Sequence, residues 1–210
     1  LKATTGGGLE LVGKDDHTHC ICGRTDCQET GTGHRKITCK GVSSLDLIKD
    51  SGSYYLLNDV TLTKTWKPNG GTLCLNGHAI HAAWKTAAIE LENTYITFNL
   101  TDCGTDGKVT GNINSSGGVD EASGVIIGGK ATFNLYNGSI CDNTLYSYQT
   151  NLKAGAVEVN GTFNMYGGSI KNNQGTGWVG AESNYIGGVL VNSTGTFKMT
   201  GGEISGNRSA

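Results

Sequence analysis

The chain has a single proline among 210 residues, only 16% charged side chains, no cluster of lysine or arginine, and no apolar stretch that could span a bilayer. Each shortage excludes something. Without a basic stripe there is nothing to displace counterions from a phosphate backbone, and 16 Lys+Arg stand against 18 Asp+Glu, so nucleic acid is not an expected partner. A bilayer-crossing helix needs roughly 18 or more consecutive apolar residues, so no membrane insertion is expected. Gly-x-Ser-x-Gly, a phosphate-cradling loop and a dinucleotide fingerprint are also missing, although 34 glycines are present. The first residues, Leu1-Lys-Ala-Thr-Thr-Gly-Gly-Gly, contain neither a start methionine nor an apolar signal region and read as part of an excised fragment.

What remains is rich in glycine, asparagine and threonine, a composition that disfavours exposed helices and favours short strands joined by tight turns. The chain repeats itself. Thr132-Phe-Asn-Leu-Tyr-Asn-Gly-Ser-Ile-Cys-Asp-Asn143 returns as Thr162-Phe-Asn-Met-Tyr-Gly-Gly-Ser-Ile-Lys-Asn-Asn173 and as Thr196-Phe-Lys-Met-Thr-Gly-Gly-Glu-Ile-Ser-Gly-Asn207, offsets of 30 and 34 residues. Fainter copies run from Thr97-Phe98-Asn99-Leu100 to Asn112, and through Thr72-Leu-Cys-Leu-Asn-Gly77 to Ile80. Ahead of the copies lie strand-like segments such as Ala156-Val-Glu-Val-Asn160 and Gly188-Val-Leu-Val-Asn192.

Within Phe133/Leu135, Phe163/Met165 and Phe197/Met199 the period is two, so one side of each strand faces a core and the other faces solvent. One such unit cannot bury its apolar side alone. Stacking units about 4.8 Å apart makes a continuous interior, and five coils give a column about 24 Å tall. The expectation is an all-β, right-handed parallel β-helix (solenoid) of about five coils over residues 52–210. In it Phe98, Phe133, Phe163 and Phe197 form one column, and Asn112, Asn143, Asn173 and Asn207 form another at a left-handed corner. A β-sandwich or propeller would need antiparallel hairpins, whereas the better match here is between whole units.

The ladder motif Gly-Gly-x-Ile-x-x-Asn, with Gly52-Ser-Tyr-Tyr-Leu-Leu-Asn-Asp-Val60 and Leu73-Cys-Leu-Asn-Gly-His-Ala-Ile80, resembles the β-helix regions of large surface proteins of gut-dwelling Gram-positive anaerobes. The resemblance takes in His17-Thr-His-Cys-Ile-Cys-Gly23 and covers nearly the whole chain. It implies an extracellular protein, secreted or attached to the cell wall, and no one activity. Further domains of the same polypeptide are expected because a solenoid would normally continue or be capped after Asn207. The segment Lys36-Ile-Thr-Cys39-Lys departs from the family, where a tryptophan-containing stretch is expected, so Cys39 has no family role.

Residues 1–16 read as a linker or fusion remnant, and residues 17–51 as a Cys/His-rich N-terminal cap. Seven cysteines imply metal ligation or an oxidising compartment, and the odd count leaves one thiol over. The best quartet for a tetrahedral, structural zinc is Cys20, Cys22, Cys27 and His34, with His19 as alternate to Cys20. Gly23 would relieve crowding at such a knuckle. Disulfides such as Cys20 with Cys27, or free thiols, are the alternatives. Cys74 and Cys103, in neighbouring units, read as an inter-coil disulfide or as two small apolar fillers, and Cys141 as an outward residue without a partner.

For catalysis the only candidates are Glu90 and Glu158, two coils or about 9.6 Å apart, just beyond the roughly 6.5–9.5 Å of an inverting glycosidase pair. Surface glutamates are the plainer explanation, and a polysaccharide-cleaving enzyme is the alternative to a binder. The binding expectation rests on aromatic residues in loops that recur at one corner: Trp84, Tyr146, Tyr148, Trp178 and Tyr185. Exposed rings on one side suit a host mucosal protein such as immunoglobulin, or a glycan. A ligand-free structural stalk is the third reading.

Overall fold

The computed structural model describes residues 17–111, 123–147, 153–177 and 185–209, with an antiparallel strand pair, Lys2–Ala3 and Leu9–Glu10, ahead of them. It is a parallel β-solenoid with three walls. The first wall is an eight-stranded sheet holding Thr97–Thr101, Thr132–Leu135, Thr162–Met165 and Thr196–Met199, preceded by Gly71–Cys74, Ser53–Leu56 and Lys36–Val42. The second wall has six strands, among them Lys108–Thr110, Ser139–Cys141, Ser169–Lys171 and Glu203–Ser205. The third has four: Ile89–Leu91, Val125–Ile127, Val157–Val159 and Val189–Val191. All three walls are complete for about four turns, one fewer than the repeat count suggests, because the earliest units contribute strands to the first two walls only. Among the described residues no helix is long and apolar enough to cross a membrane.

The repeats pair in the expected register. Phe98 stands opposite Phe133, Phe133 opposite Phe163, and Phe163 opposite Phe197. Their ring centroids follow one another at 5.9, 5.5 and 4.9 Å, and the first three rings are buried. Each fully buried Phe, Leu or Ile side chain contributes about 1.5–3 kcal/mol of transfer free energy, so the column is the main cohesive element. On the last described rung the equivalent side chains are uncovered: Val191, Met199 and Ile204 are exposed where Val159, Met165 and Ile170 are buried.

Two asparagine ladders run with the columns. At the corner after the second wall, Asn143 Nδ2 donates to Asn173 Oδ1 (2.8 Å) and Asn173 Nδ2 to Asn207 Oδ1 (2.8 Å), with Asn143 and Asn173 fully buried. Asn112 lies outside the described residues. The left-handed residue of this corner is the one before the ladder asparagine, not the asparagine itself: Asp142, Asn172 and Gly206 have φ of 55°, 57° and 62°. That geometry turns the chain so that the next side chain points inward. On the first wall a second ladder, not expected as buried, links Asn164 to Asn134 (2.9 Å) and Asn134 to Asn99 (2.8 Å).

The excursions after the corner begin and end as rungs of their own. Thr144–Ser147, Gln174–Gly177 and Arg208–Ser209 form a parallel sheet, and Lys153–Ala154 pairs with Tyr185–Ile186. Ladder pairing therefore continues into stretches that the sequence suggests are loops, which matters for the aromatic residues there.

Candidate metal centre

Two stretches of chain bring the N-terminal cysteines and histidines together. His17–Cys20 pairs antiparallel with the first half of Lys36–Val42, while the second half, Lys40 to Val42, pairs parallel with Ser53–Leu56 and so enters the solenoid. One strand thus joins cap and column. The intervening loop does not merely close the end of the sheet. It lies along the outer flank: Thr101 Oγ1 donates to the Ile21 carbonyl, and Ile21 packs with Ile37, Cys39, Tyr55, Cys74 and Tyr136 in a second core outside the column. Gly23 sits over the turn after the first wall with φ of +91°, and a Cβ there would lie 2.0 Å from the Asp102 carbonyl oxygen. Only glycine fits both the geometry and the space.

The loop folds Cys20, Cys22, Cys27 and His34 into one cluster, the quartet expected from the sequence, with one donor atom of each within 4.8 Å of the others. Cys27 Sγ is 3.3 Å from His34 Nδ1. On the far side of the imidazole, Nε2 is 3.1 Å from Glu29 Oε2, and Glu29 is in turn paired with Arg24. A carboxylate that accepts the Nε2 proton leaves Nδ1 bare towards the sulfurs, which is the outer-shell arrangement that orients metal-ligating histidines. Burial pushes the Cys20 thiol up to about 12. At Cys22 and Cys27 desolvation is the largest single influence and opposes ionisation, but the hydrogen bonds around them together lower both thiols, with the Arg24 backbone amide first among them at Cys22 and the His34 imidazole first at Cys27. Ionising all three thiols together would set like charges against one another, and a dication would remove that conflict.

A second cluster is assembled from far apart in the sequence: His17 and His19 from the hairpin, Cys74 from the first wall, and Cys103 from the turn that follows it, again with donor atoms within 4.8 Å of one another. His17 Nε2 is 2.8 Å from Cys103 Sγ, and Cys74 Sγ is 3.2 Å from Cys103 Sγ. The buried Asp102 carboxylate holds the turn that carries Cys103, accepting from the amides of Gly77 (2.7 Å), Gly104 (3.2 Å) and Gly107 (3.1 Å). The hydrogen bond from Cys74 lowers Cys103 to about 4 against the effect of burial, with help from His19 and His17, and the same contact raises Cys74. Burial opposes a charged His19, yet the sulfurs of Cys103 and Cys39 beside it and the Cys20 carbonyl raise its pKa to about 10. His19 thus belongs here and not, as the alternate ligand, with Cys22 and Cys27. The expected proximity of Cys74 and Cys103 is present, but the sulfurs are unbonded, as in all seven cysteines. Either cluster could hold a metal ion.

The other candidates fare differently. Glu90 is ion-paired with Lys67 (3.2 Å). Glu158 is buried rather than a solvated surface group, bonded by Asn192 (3.3 Å) and 3.7 Å from Lys153 Nζ. Ile126 separates the two glutamates in the ladder. Trp84 is exposed, with Lys85 Nζ 4.4 Å from its ring centroid. Tyr185, expected as an exposed ring, is 2% exposed: it starts a strand of the paired excursions and turns into the wall. Tyr146 lies in the strand Thr144–Ser147, and Tyr148 and Trp178 fall outside the described residues. Tyr95, missed in the sequence, is 88% exposed at the corner between third and first walls, with Lys130 Nζ 5.4 Å from its ring. Cys141 occupies the outward position opposite Lys171 but is buried, which pushes its thiol up to about 12. A groove of about 520 Å³ opens near the first rungs between residues 44–49 and 60–67, with Trp66 on its wall.

Comparison with protein-family models, with curated proteins and with solved structures finds no match to this chain.

Proposed function

We propose that this chain is a non-catalytic, extracellular β-solenoid module that binds a host mucosal protein or a glycan, and that structural zinc in the Cys20, Cys22, Cys27, His34 cluster fixes its N-terminal cap. The observation that carries the zinc is the closed donor set. Three sulfurs and one imidazole converge, and the outer nitrogen of that imidazole is already held by Glu29. Four protein ligands leave no open position for a reacting water, which is the arrangement of a structural rather than a catalytic zinc. The kinship with surface proteins of gut-dwelling Gram-positive anaerobes, and with it a secreted or wall-attached location, belongs to this proposal and rests on the repeat motif.

The binding reading is supported by uncovered rings on a rigid column. Trp84 and Tyr95 each present an aromatic face with a lysine alongside, a combination suited to stacking on a sugar or anchoring a protein. Polysaccharide cleavage finds less support, since Glu90 and Glu158 are engaged with lysines and each other's positions are separated by Ile126. A ligand-free stalk has one observation in its favour. The exposed apolar set Val191, Met199 and Ile204 supports another segment of the same polypeptide stacked on that rung.

The test is affinity capture from mucosal secretions beside a glycan array, with the unchanged chain and Trp84→Ala. A retained protein or sugar that is lost with Trp84→Ala supports the binder and tells the two ligand classes apart. No retained ligand on either platform favours the stalk.

A further inference from the structure

We infer that His17, His19, Cys74 and Cys103 form a second, independent site for a divalent metal of zinc-like, borderline-soft preference, which clamps the N-terminal hairpin to the flank of the column. The inference extends the zinc reading to another ion without resting on the first cluster.

His19 carries the argument. It is 2% exposed, its Nδ1 is 2.6 Å from the Cys20 carbonyl, and its Nε2 is buried without a hydrogen bond. A carbonyl only accepts, so Nδ1 carries a proton in either charge state of the ring, and Nε2 is the nitrogen left to take a metal in exchange for its own proton. A buried nitrogen without a partner costs free energy, and a metal ion supplies that partner directly. The other donors are in keeping with this role. Two imidazoles and two thiols are the Cys₂His₂ set of structural zinc, and the Asp102 network holds the turn that presents Cys103. In a tetrahedron with metal–sulfur bonds of about 2.3 Å, two thiolates lie about 3.8 Å apart. The 3.2 Å between Cys74 and Cys103 therefore opens by roughly half an ångström on loading, while a disulfide needs it to close to about 2.05 Å.

The two clusters differ in what they tie together. Cys20 to His34 is a local loop, whereas His17 and Cys103 are 86 residues apart, so the second ion closes a long loop through two coils and the hairpin. A clip of that span restrains the unfolded chain more than a local one. Because His19 and Cys20 are neighbours, one strand delivers a ligand to each ion.

The experiment is metal analysis of the full chain purified under reducing conditions with zinc supplied, alongside Cys27→Ser/His34→Ala and Cys103→Ser. Two ions in the unchanged chain and one in each variant is the expected result. If only the first cluster binds, the counts are one, none and one, which overturns this inference and leaves the reading above intact. If only the second binds, they are one, one and none, which does the reverse. A Cys74–Cys103 disulfide in that preparation, seen by mass spectrometry of peptides, also overturns it. Should Cys103→Ser fail to fold by circular dichroism, Co²⁺ added to Cys27→Ser/His34→Ala decides the matter. Tetrahedral d–d absorption supports the site, and its absence refutes it.

Discussion

Replacing Asn173 by alanine removes the side chain with the most buried obligations in the column. Its Nδ2 donates to Asn207 Oδ1 (2.8 Å) and to the Ile140 carbonyl (3.0 Å), and its Oδ1 accepts from the Asn143 side chain (2.8 Å) and backbone amide (3.1 Å). Part of this is made good in the variant. Asn207 Oδ1 keeps the backbone N–H of residue 173 (3.0 Å), and Asn143 Nδ2 keeps the Cys141 carbonyl (3.1 Å). The Ile140 carbonyl loses one bond but keeps its place in the parallel ladder with Ser169–Lys171, whereas the Asn143 backbone amide is stranded. At about 1–3 kcal/mol for the stranded amide and about 0.5–1.5 kcal/mol for the lost bond, Asn173→Ala costs about 1.5–4.5 kcal/mol. For a chain of this size each kcal/mol moves the melting temperature by roughly 2–4 °C, so a fall of about 3–18 °C follows. Asn164→Ala is the control. It is half-buried and gives up one bond, to Asn134 Oδ1, which water replaces, so about 0.5–1.5 kcal/mol is expected. Urea unfolding followed by circular dichroism reads both. If Asn173→Ala is no more destabilised than Asn164→Ala, the ladder is not a buried, satisfied network and the reasoning fails.

Phe163→Ala, which empties a fully buried place between two rings, should lose about 3–5 kcal/mol in the same assay, and Phe197→Ala on the uncovered rung clearly less; equal losses would argue against a continuous column. Gly23→Ala drives a Cβ into the Asp102 carbonyl and strains a positive φ, so amide exchange across residues 21–35 should accelerate while the third wall stays protected. Unchanged exchange would mean that the cap does not lean on that turn. The Tyr54 hydroxyl and the Gly52 amide, each 2.7 Å away, hold the Asp50 carboxyl below its ordinary value. A depressed folded pKa means that this contact contributes above the ordinary aspartate value and is lost as pH falls through the lowered one. Tyr54→Phe should raise the Asp50 pKa in a carboxyl-detected NMR titration, and no change would remove Tyr54 as a cause.

The Phe and Asn columns are legible in the sequence because stacked coils put equivalent residues at equivalent positions, so spacing alone reports contact. The Cys20, Cys22, Cys27, His34 cluster is legible for a related reason: all its ligands lie in one short loop. The second cluster is not. Its histidines and cysteines meet only because the hairpin bends back along the flank, a tertiary fact with no local signature, and the pair Cys74 and Cys103 read by itself suggests a disulfide. Tyr185 was misplaced because the excursions carry strand pairing beyond the corner, which varied loop lengths conceal. The left-handed residue was misplaced by one because Asp142, Asn172 and Gly206 share a conformation but not a residue type. The burial of Glu158 follows from Lys153 and Asn192, which come from different turns.

X-ray absorption at the zinc edge of the reduced, zinc-loaded chain tests most directly the claim that metal fastens the cap to the column. Two tetrads of Cys₃His and Cys₂His₂ composition predict sulfur at about 2.3 Å and nitrogen at about 2.0–2.1 Å, in an average ratio of five sulfurs to three nitrogens. A shell of oxygen and nitrogen without sulfur, or no bound zinc at all, would contradict it.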